Sequence, residues 1–133
     1  MGNKLNGEIT EVSFCLKVLS LGHKIALPYG DSSKYDVIVD TGRNLYRVQI
    51  KSTRILEKSY CHSRYRITVG HGRTNKKYSD KECDLVAMHV YPLDIWYIMP
   101  INDVSSTSIG LYPHIDNSRG KYETYREQWG IFV

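Results

Sequence analysis

Two strand patterns joined by a glycine-containing turn, between residues 29 and 53, constrain the fold of this chain most strongly. The segment YDVIVD (35–40) has three consecutive β-branched residues, and LYRVQIKST (45–53) alternates apolar and polar side chains. Gly42 lies in the short polar segment between them, which favours a hairpin. Because side chains alternate across a strand, the second segment has two faces. One face carries Val48 and Ile50, and the other carries Arg47, Gln49 and Lys51.

A helix is predicted before this hairpin, from Leu5 to Leu21. Apolar residues at helical spacing form one stripe along it, and Gly22 follows where a left-handed residue would end the helix. Asn6 is the predicted N-cap. The stripe consists of Leu5, Ile9, Val12, Leu16 and Leu19. The sequence therefore predicts an amphipathic helix with this stripe as its apolar face.

The remaining segments predict a sheet with weaker helical elements. Further strands are predicted at 24–29, YRITVG (65–70), DLVAMHVY (84–91) and DIWYIMP (94–100). The run 70–80 is predicted to be a loop, residues 101–106 a short helix, and residues 120–133 either a terminal helix or a docked tail. Together these elements predict one domain, residues 1–133, of the α/β (α+β) class with a mixed sheet.

Positive charge is concentrated in one part of the chain. The net charge is +4, but residues 41–81 contain eleven Lys or Arg and only two acids, and the rest of the chain is net negative. Such asymmetry is expected of a protein that presents one face to nucleic acid. The alternative interpretation is a solvated charged surface.

The sequence contains no signal for a membrane or for secretion. No apolar run reaches the length of a membrane span, and the first residues have no hydrophobic segment followed by a small-residue cleavage site. The expected location is the cytoplasm. The three cysteines, Cys15, Cys61 and Cys83, form no C-x-x-C pair and are expected to be reduced thiols.

Basic and aromatic side chains are interleaved between residues 54 and 78, a mixture suited to phosphates and base edges in a DNA groove. Arg64 and Arg66 are two residues apart in an extended segment, so both can face DNA while Tyr65 and Ile67 face the protein. Part of this segment is predicted to form a β-ribbon in the major groove of double-stranded DNA. The predicted DNA-binding residues are Arg54, Lys58, Tyr60, Arg64, Arg66, Arg73, Lys76 and Lys77.

Asp36, Gln49 and Lys51 suit the hydrolysis of a phosphodiester bond. That reaction uses a divalent cation to activate water and to stabilise charge on the phosphate, with a further cation near the reacting oxygens. Asp36 begins the first strand of the hairpin, and Gln49 and Lys51 share one face of the second, so strand pairing brings the three together. Hard Mg²⁺ prefers oxygen ligands. Asp36, Gln49 and Lys51 are therefore predicted to be catalytic residues.

The order of Asp36, a spacer and then Gln49-Ile50-Lys51 resembles the motif of the PD-(D/E)XK nucleases. The segments GEITE, LPYGDSSKYDVIVD and YRVQIKST are similar to the bacterial branch of that family that includes group I intron homing endonucleases, in which Gln at this place is usual. Tyr35 stands where the family has Pro, and Gln49 replaces the usual acid. A carboxamide offers an oxygen to a metal but adds no negative charge.

The resemblance implies a restriction-endonuclease-like core, with a mixed β-sheet flanked by helices and a basic DNA-binding ribbon or loop. It also implies a carboxylate on the first helix in a Gly-x-x-x-Glu pattern, here Gly7 to Glu11. Glu8 lies nearer the centre of the apolar stripe and is the reserve candidate. Lys51 is implied to orient or activate the attacking water. The implied ligands of Mg²⁺, for which Mn²⁺ can substitute, are Asp36, Gln49, the Ile50 carbonyl and Glu11.

Three functions are compatible with these observations: a homing-type endonuclease for long, near-palindromic duplexes, a structure-selective Holliday junction resolvase, and a degenerate DNA-binding protein in which Gln49 marks lost metal affinity. A nuclease with one active site per chain must associate to cut both strands, so a homo-oligomer is expected, with a dimer as the minimum and a tetramer as the larger alternative. The strands at 84–91 and 94–100 and the segment with Trp129 and Phe132 are the predicted interface.

Overall fold

One α-helix, two main β-sheets and a short β-ribbon make up the regular structure of the described residues. The computed structural model describes residues 2–58, 60, 62–71, 76–116 and 120–133. The helix, α1, spans Asn3–Ser20, and none of the described helices is long and apolar enough to cross a membrane. The strands are β1 (Lys24–Ala26), β2 (Val37–Asp40), β3 (Leu45–Thr53), β4 (Leu56–Glu57), β5 (Arg64–Thr68), β6 (Gly70–His71), β7 (Lys76–Lys77), β8 (Leu85–Val90), β9 (Ile95–Pro100) and β10 (Ser108–Leu111). Turns of 3-10 helix occupy Tyr91–Leu93, Ile101–Asp103, Glu123–Tyr125 and Trp129–Ile131.

The hairpin expected from the sequence is present. β2 and β3 pair antiparallel with Val37 opposite Val48, and Gly42 in the turn between them has φ of +87°, which L side chains rarely adopt. The main sheet has the order β1-β2-β3-β8-β9. β3 and β8 are parallel, whereas the other pairs are antiparallel. The prediction of a mixed sheet in an α/β fold is therefore confirmed.

α1 and the C-terminal segment cover one face of this sheet. Phe14 is fully buried, and the centre of its ring lies 5.6 Å from that of Trp96 and 5.8 Å from that of Trp129. Residues 120–133 contain 3-10 turns but no α-helix, and Phe132 packs against Phe14, so the docked tail is the correct alternative. Burying side chains of this size contributes about 1.5–3 kcal/mol each. The aromatic cluster therefore fixes α1 on the sheet.

A second, three-stranded sheet covers the other face. Its order is β10-β5-β4, and both pairs are antiparallel. Tyr65 and Ile67 on β5 are buried, whereas Arg64 and Arg66 lie on its outer side, as the strand alternation predicts. The run 70–80 is not simply the predicted loop, because β6 and β7 pair within it as a short ribbon. Backbone pairing over two residues needs no apolar pattern, so this ribbon is not predictable from alternation in the sequence.

The apolar stripe of α1, hereafter the α1 stripe, is not the buried face of the helix. Four of its members are 47 to 68% exposed: Leu5, Val12, Leu16 and Leu19. The buried residues lie on the opposite side and are Thr10, Phe14 and Val18. Periodicity located the helix correctly but assigned the wrong side to the core. The helix also starts earlier than predicted, and its N-cap is Gly2 rather than Asn6.

The strands predicted to form a subunit interface have mostly buried side chains. Every residue of β8 is buried within the chain, and Trp129 and Phe132 are buried against α1. These side chains form the core of the chain itself and are not exposed for contact with a second copy, whereas β9 lies at the edge of the main sheet, so the predicted interface stays a prediction.

Candidate active site

Asp36 is fixed at the edge of the main sheet, immediately before β2. Its amide N–H donates to the Val48 carbonyl oxygen at 2.9 Å, and its Oδ2 accepts a hydrogen bond from the Ile50 amide at 2.8 Å. β2 pairs only with the first half of β3, so the second half continues past it and presents its edge to Asp36. The N–H and C=O of one strand residue point to the same side. The Ile50 carbonyl is therefore directed to the same space as the carboxylate.

α1 and β3 form the walls of a cleft of about 610 Å³ beside this carboxylate. The N-terminal half of the helix lines one side, and the second half of β3 lines the other. Glu8 is exposed and does not line the cleft, because it lies towards the solvent side of α1. The residues predicted from the sequence that meet here are Glu11, Asp36, Gln49, Ile50, Lys51 and Arg54.

The Asp36 and Glu11 carboxyl groups are close enough to influence each other's pKa. Burial raises the pKa of Asp36, against the opposing effects of the Ile50 amide and the Lys51 charge. Burial also raises the pKa of Glu11, and the neighbouring Asp36 charge adds to that shift. Because two carboxylates in such a place repel each other, the pair favours the binding of a proton or a metal cation.

Lys51 places a cation beside this carboxyl pair. Burial lowers the pKa of its ammonium group, while the Asp36 charge opposes that shift. The Lys51 Nζ lies 5.7 Å from the centre of the Tyr78 ring, within cation–π range. Burial raises the pKa of Tyr78 to about 12, so its phenol is neutral at physiological pH. Gln49, two residues before Lys51 on the same strand face, is buried.

Arg54 lines the same cleft and is held by stacking. Its guanidinium carbon lies 3.7 Å from the centre of the Tyr91 ring. Its Nε and Nη2 atoms are buried and have no hydrogen-bond partner among the described residues, and the same is true of Asn6 Oδ1. A buried polar group without a partner costs roughly 1–3 kcal/mol. The guanidinium is therefore positioned but not neutralised, which is the state that a phosphate-binding arginine needs.

The other predicted DNA-binding residues that the structure describes do not line the cleft. Arg64 and Arg66 both bind the Glu57 carboxylate, at 3.0 Å and 2.9 Å. The hydrogen bond from Arg64 is the main reason why the pKa of Glu57 is lowered. Arg73 lies outside the described residues. The exposed members of the set are Lys58, Tyr60, Arg66, Lys76 and Lys77.

Among the residues of the cleft and its surroundings that are not predicted from the sequence are Asn6, Tyr78 and Tyr91. Tyr78 and Tyr91 are two of eleven tyrosines, and no local pattern shows which of them meets β3 across such a distance in the chain. Asn6 was assigned to a helix cap. The available signal was the polar character of Asn6, Thr10 and Glu11 on the side of α1 away from the stripe.

The donor atoms of the cleft fit a hard divalent cation. No group of three or more His, Cys, Asp and Glu side chains that could hold a metal occurs among the described residues, so Asp36 and Glu11 need oxygen ligands of another kind. The Gln49 side-chain amide and the Ile50 carbonyl are the other oxygen groups at this place in the cleft. A set made only of oxygen atoms, with two carboxylates whose repulsion a cation relieves, suits Mg²⁺ or Mn²⁺.

Comparisons with known proteins point to one family. Residues 1–132 match the family described as PD-(D/E)XK endonuclease. No curated protein matches the chain. Among solved structures, the chain is similar to I-Ssp6803I, described as a bacterial homing endonuclease, with 26% sequence identity and a TM-score of 0.79. The match covers 98% of this chain and 90% of that one.

Proposed function

Since the chain belongs to the PD-(D/E)XK endonuclease family, we propose that it is a divalent-metal-dependent, site-specific endonuclease that hydrolyses phosphodiester bonds in long, near-palindromic DNA duplexes. Similarity to a bacterial homing endonuclease over almost the whole chain supports this type of target. The observation that carries the proposal is the meeting of Glu11, Asp36, Gln49 and Lys51 in one cleft.

Asp36 and Glu11 would hold Mg²⁺, or Mn²⁺ in its place, together with the Gln49 amide oxygen and the Ile50 carbonyl. When bound, such a cation activates water and stabilises charge on the phosphate. The Ile50 amide keeps Asp36 at the cleft through its 2.8 Å hydrogen bond to Oδ2. Gln49 contributes an oxygen without a charge, so the two carboxylates together provide the negative charge of the ligand set.

Lys51 orients the attacking water and stabilises the charge that develops on the phosphate. The Tyr78 ring limits the positions of its ammonium group. Because burial lowers the pKa of Lys51, its proton is transferred more readily than that of a surface lysine. The nearby Asp36 charge favours the ammonium form, which keeps the cation available for the phosphate.

Arg54 binds a DNA phosphate next to the one that is cleaved. Its planar guanidinium rests on Tyr91 at the lining of the cleft, and a guanidinium suits hydrogen bonds to phosphate oxygens. The remaining basic residues extend the contact along the DNA backbone. These are Lys58, Arg64, Arg66, Arg73, Lys76 and Lys77, with Tyr60 available for stacking.

Cleavage of a genomic DNA library with Mg²⁺, followed by sequencing of the ends, tests this function directly. We expect double-strand ends that recur at long related sites with Mg²⁺ or Mn²⁺, and none with EDTA or with the Asp36→Ala variant. Glu11→Gln and Glu8→Gln form a matched pair on the same helix. Only Glu11→Gln should lose cleavage, and the reverse result would show that the metal site is assigned to the wrong glutamate.

Two other results would replace the proposed function. Cleavage of four-way DNA regardless of sequence, without cuts in long duplexes, would identify a junction-resolving enzyme. Tight DNA binding without cleavage in either metal, and without Mn²⁺ binding that depends on Asp36, would identify a degenerate DNA-binding protein.

A further inference from the structure

The α1 stripe has the spacing of a coiled-coil seam. Its five residues follow one another at intervals of four, three, four and three positions, which is the a/d pattern of a heptad repeat. The opposite side of the helix is already packed on the sheet through Phe14. A surface helix needs only one apolar side for its own chain. The second apolar side therefore suits another helix.

The exposed area of the α1 stripe is comparable with the largest apolar patch of a typical monomer, and such patches are often functional. Its four most exposed side chains are 47 to 68% accessible and together present roughly 450 Å², within the range of the largest apolar patch on a typical monomer. Two such stripes facing each other contribute about 900 Å². Together the two stripes come close to the roughly 1,000 Å² expected of a specific interface.

We propose that the α1 stripe packs antiparallel on the α1 stripe of a second copy of this chain, about a two-fold axis near Val12. The stripe is self-complementary in this arrangement, because Leu5 and Leu19 each lie seven residues from Val12 and meet across the axis. Antiparallel helices also place opposite ends of their dipoles together. The choice of a second copy rests on the proposed function, since cutting both strands of a duplex requires two active sites.

This pairing leaves both clefts open. The residues of α1 that line the cleft, including Gly7, Thr10 and Glu11, lie on the side of the helix that faces the sheet. Val12 and Leu16 point the other way and are exposed. The interface and the active site therefore use different sides of one helix, and a substitution in the stripe can separate association from catalysis.

Sedimentation equilibrium without DNA or metal tests the proposal. We expect the wild-type chain to sediment at twice its mass of 15.4 kDa, and Val12→Lys and Leu16→Lys to weaken dimerisation at least tenfold. Lysine is a good helix former, so the variants keep α1. Leu45→Lys is the matched control, because Leu45 is 66% exposed on β3. A wild-type chain that stays monomeric, or lysine variants that dimerise as tightly as wild type, would overturn the proposal.

Disulfide trapping tests the orientation and stays informative if a lysine variant fails to fold. In a Cys15→Ser, Cys61→Ser background, a mixture of Leu5→Cys and Leu19→Cys chains should give a crosslinked heterodimer on mild oxidation. A crosslink only between two Leu5→Cys chains, or none at all, contradicts antiparallel packing. Neither experiment measures cleavage, so an inactive protein that dimerises would contradict the proposed function alone.

Discussion

The cleft between α1 and β3 and the outer surface of the three-stranded sheet both carry charged side chains, but they compensate charge in opposite ways. On the outer sheet, one carboxylate, Glu57, binds Arg64 and Arg66, and its pKa is lowered. In the cleft, burial raises the pKa of both Asp36 and Glu11, and the buried atoms of the cleft arginine, Arg54, have no partner among the described residues.

This difference separates a functional site from a stable surface. Exposed ion pairs contribute little to stability, but they do neutralise the charges that form them. Uncompensated polar groups in a buried place destabilise the fold and are maintained where a ligand supplies the missing partner. The uncompensated groups of the cleft therefore support the proposed binding of a metal ion and a phosphate there. The outer sheet can offer its arginines to DNA only when Glu57 releases them.

The largest expected effect is the loss of the cleft lysine. Lys51→Ala should reduce single-turnover cleavage about 10²- to 10³-fold with Mg²⁺, because it removes a cation that acts on the charge developing at the phosphate. Lys77→Ala, at an exposed position on β7, should leave the cleavage rate nearly unchanged. The slope of log K for DNA binding against log salt concentration should become shallower by about one unit. Equal losses in the two variants would contradict the contrast between cleft and surface.

The two kinds of arginine give the next largest effect. Arg54→Ala should weaken DNA binding roughly 10- to 100-fold, the range of hydrogen bonds to a charged group, whereas Arg66→Ala should cost about threefold or less. Arg54→Lys should recover only part of the loss, since lysine cannot reproduce a bidentate, stacked contact. Anisotropy of labelled DNA in Ca²⁺ measures this affinity. A stronger effect at Arg66 than at Arg54 would transfer the main phosphate contact to the outer sheet.

The hairpin was predictable because its signals are local. β-branched residues, alternation and a glycine turn specify β2 and β3, and their pairing alone brings Asp36 close to Ile50 and the adjacent Gln49 and Lys51. The partners that come from distant parts of the chain, Tyr78 and Tyr91, were not predictable. Their positions depend on how the second sheet and the β8–β9 hairpin pack, which no short pattern encodes.

The helix shows how periodicity can be right and still mislead. The spacing of the α1 stripe located the helix, but an apolar stripe can face either the core of its own chain or another chain. The core side was specified by Phe14, whose large ring outweighs the number of leucines on the other side. The stripe marks the side of α1 that faces away from the sheet. Its distance from Glu8 and Glu11 therefore does not indicate which of the two glutamates lies in the cleft.

Removing the charge of Glu57 would leave the arginines of the outer sheet without an ion-pair partner, as Arg54 is in the cleft. Glu57→Gln keeps the shape of the side chain but removes its charge, so Arg64 and Arg66 become available to phosphates. DNA affinity at low salt should rise a few-fold, and the salt dependence should steepen by about one to two units of slope. The Arg64→Ala, Glu57→Gln double variant is the control and should recover part of the wild-type slope. An unchanged slope in Glu57→Gln would show that these arginines do not meet DNA.

The smallest expected effect is on the pH dependence of stability, and it isolates the carboxyl pair. Because folding raises the pKa of Asp36 and Glu11, the native state binds more protons than the unfolded chain between the ordinary and the raised pKa values. Stability of the metal-free protein should therefore fall as the pH rises through that window.

Glu11→Gln removes one of the two groups, so in EDTA its melting temperature should exceed that of wild type by a few degrees at neutral pH, with the gap closing towards pH 4. Mg²⁺ should reverse the order by stabilising wild type more than the variant. Thermal melts across this pH range measure the effect. Glu8→Gln is the control and should change the profile much less than Glu11→Gln, because burial and Asp36 raise the pKa of Glu11 more than Glu8 does. Parallel profiles for wild type and Glu11→Gln would show that the two carboxyl groups do not act as a pair.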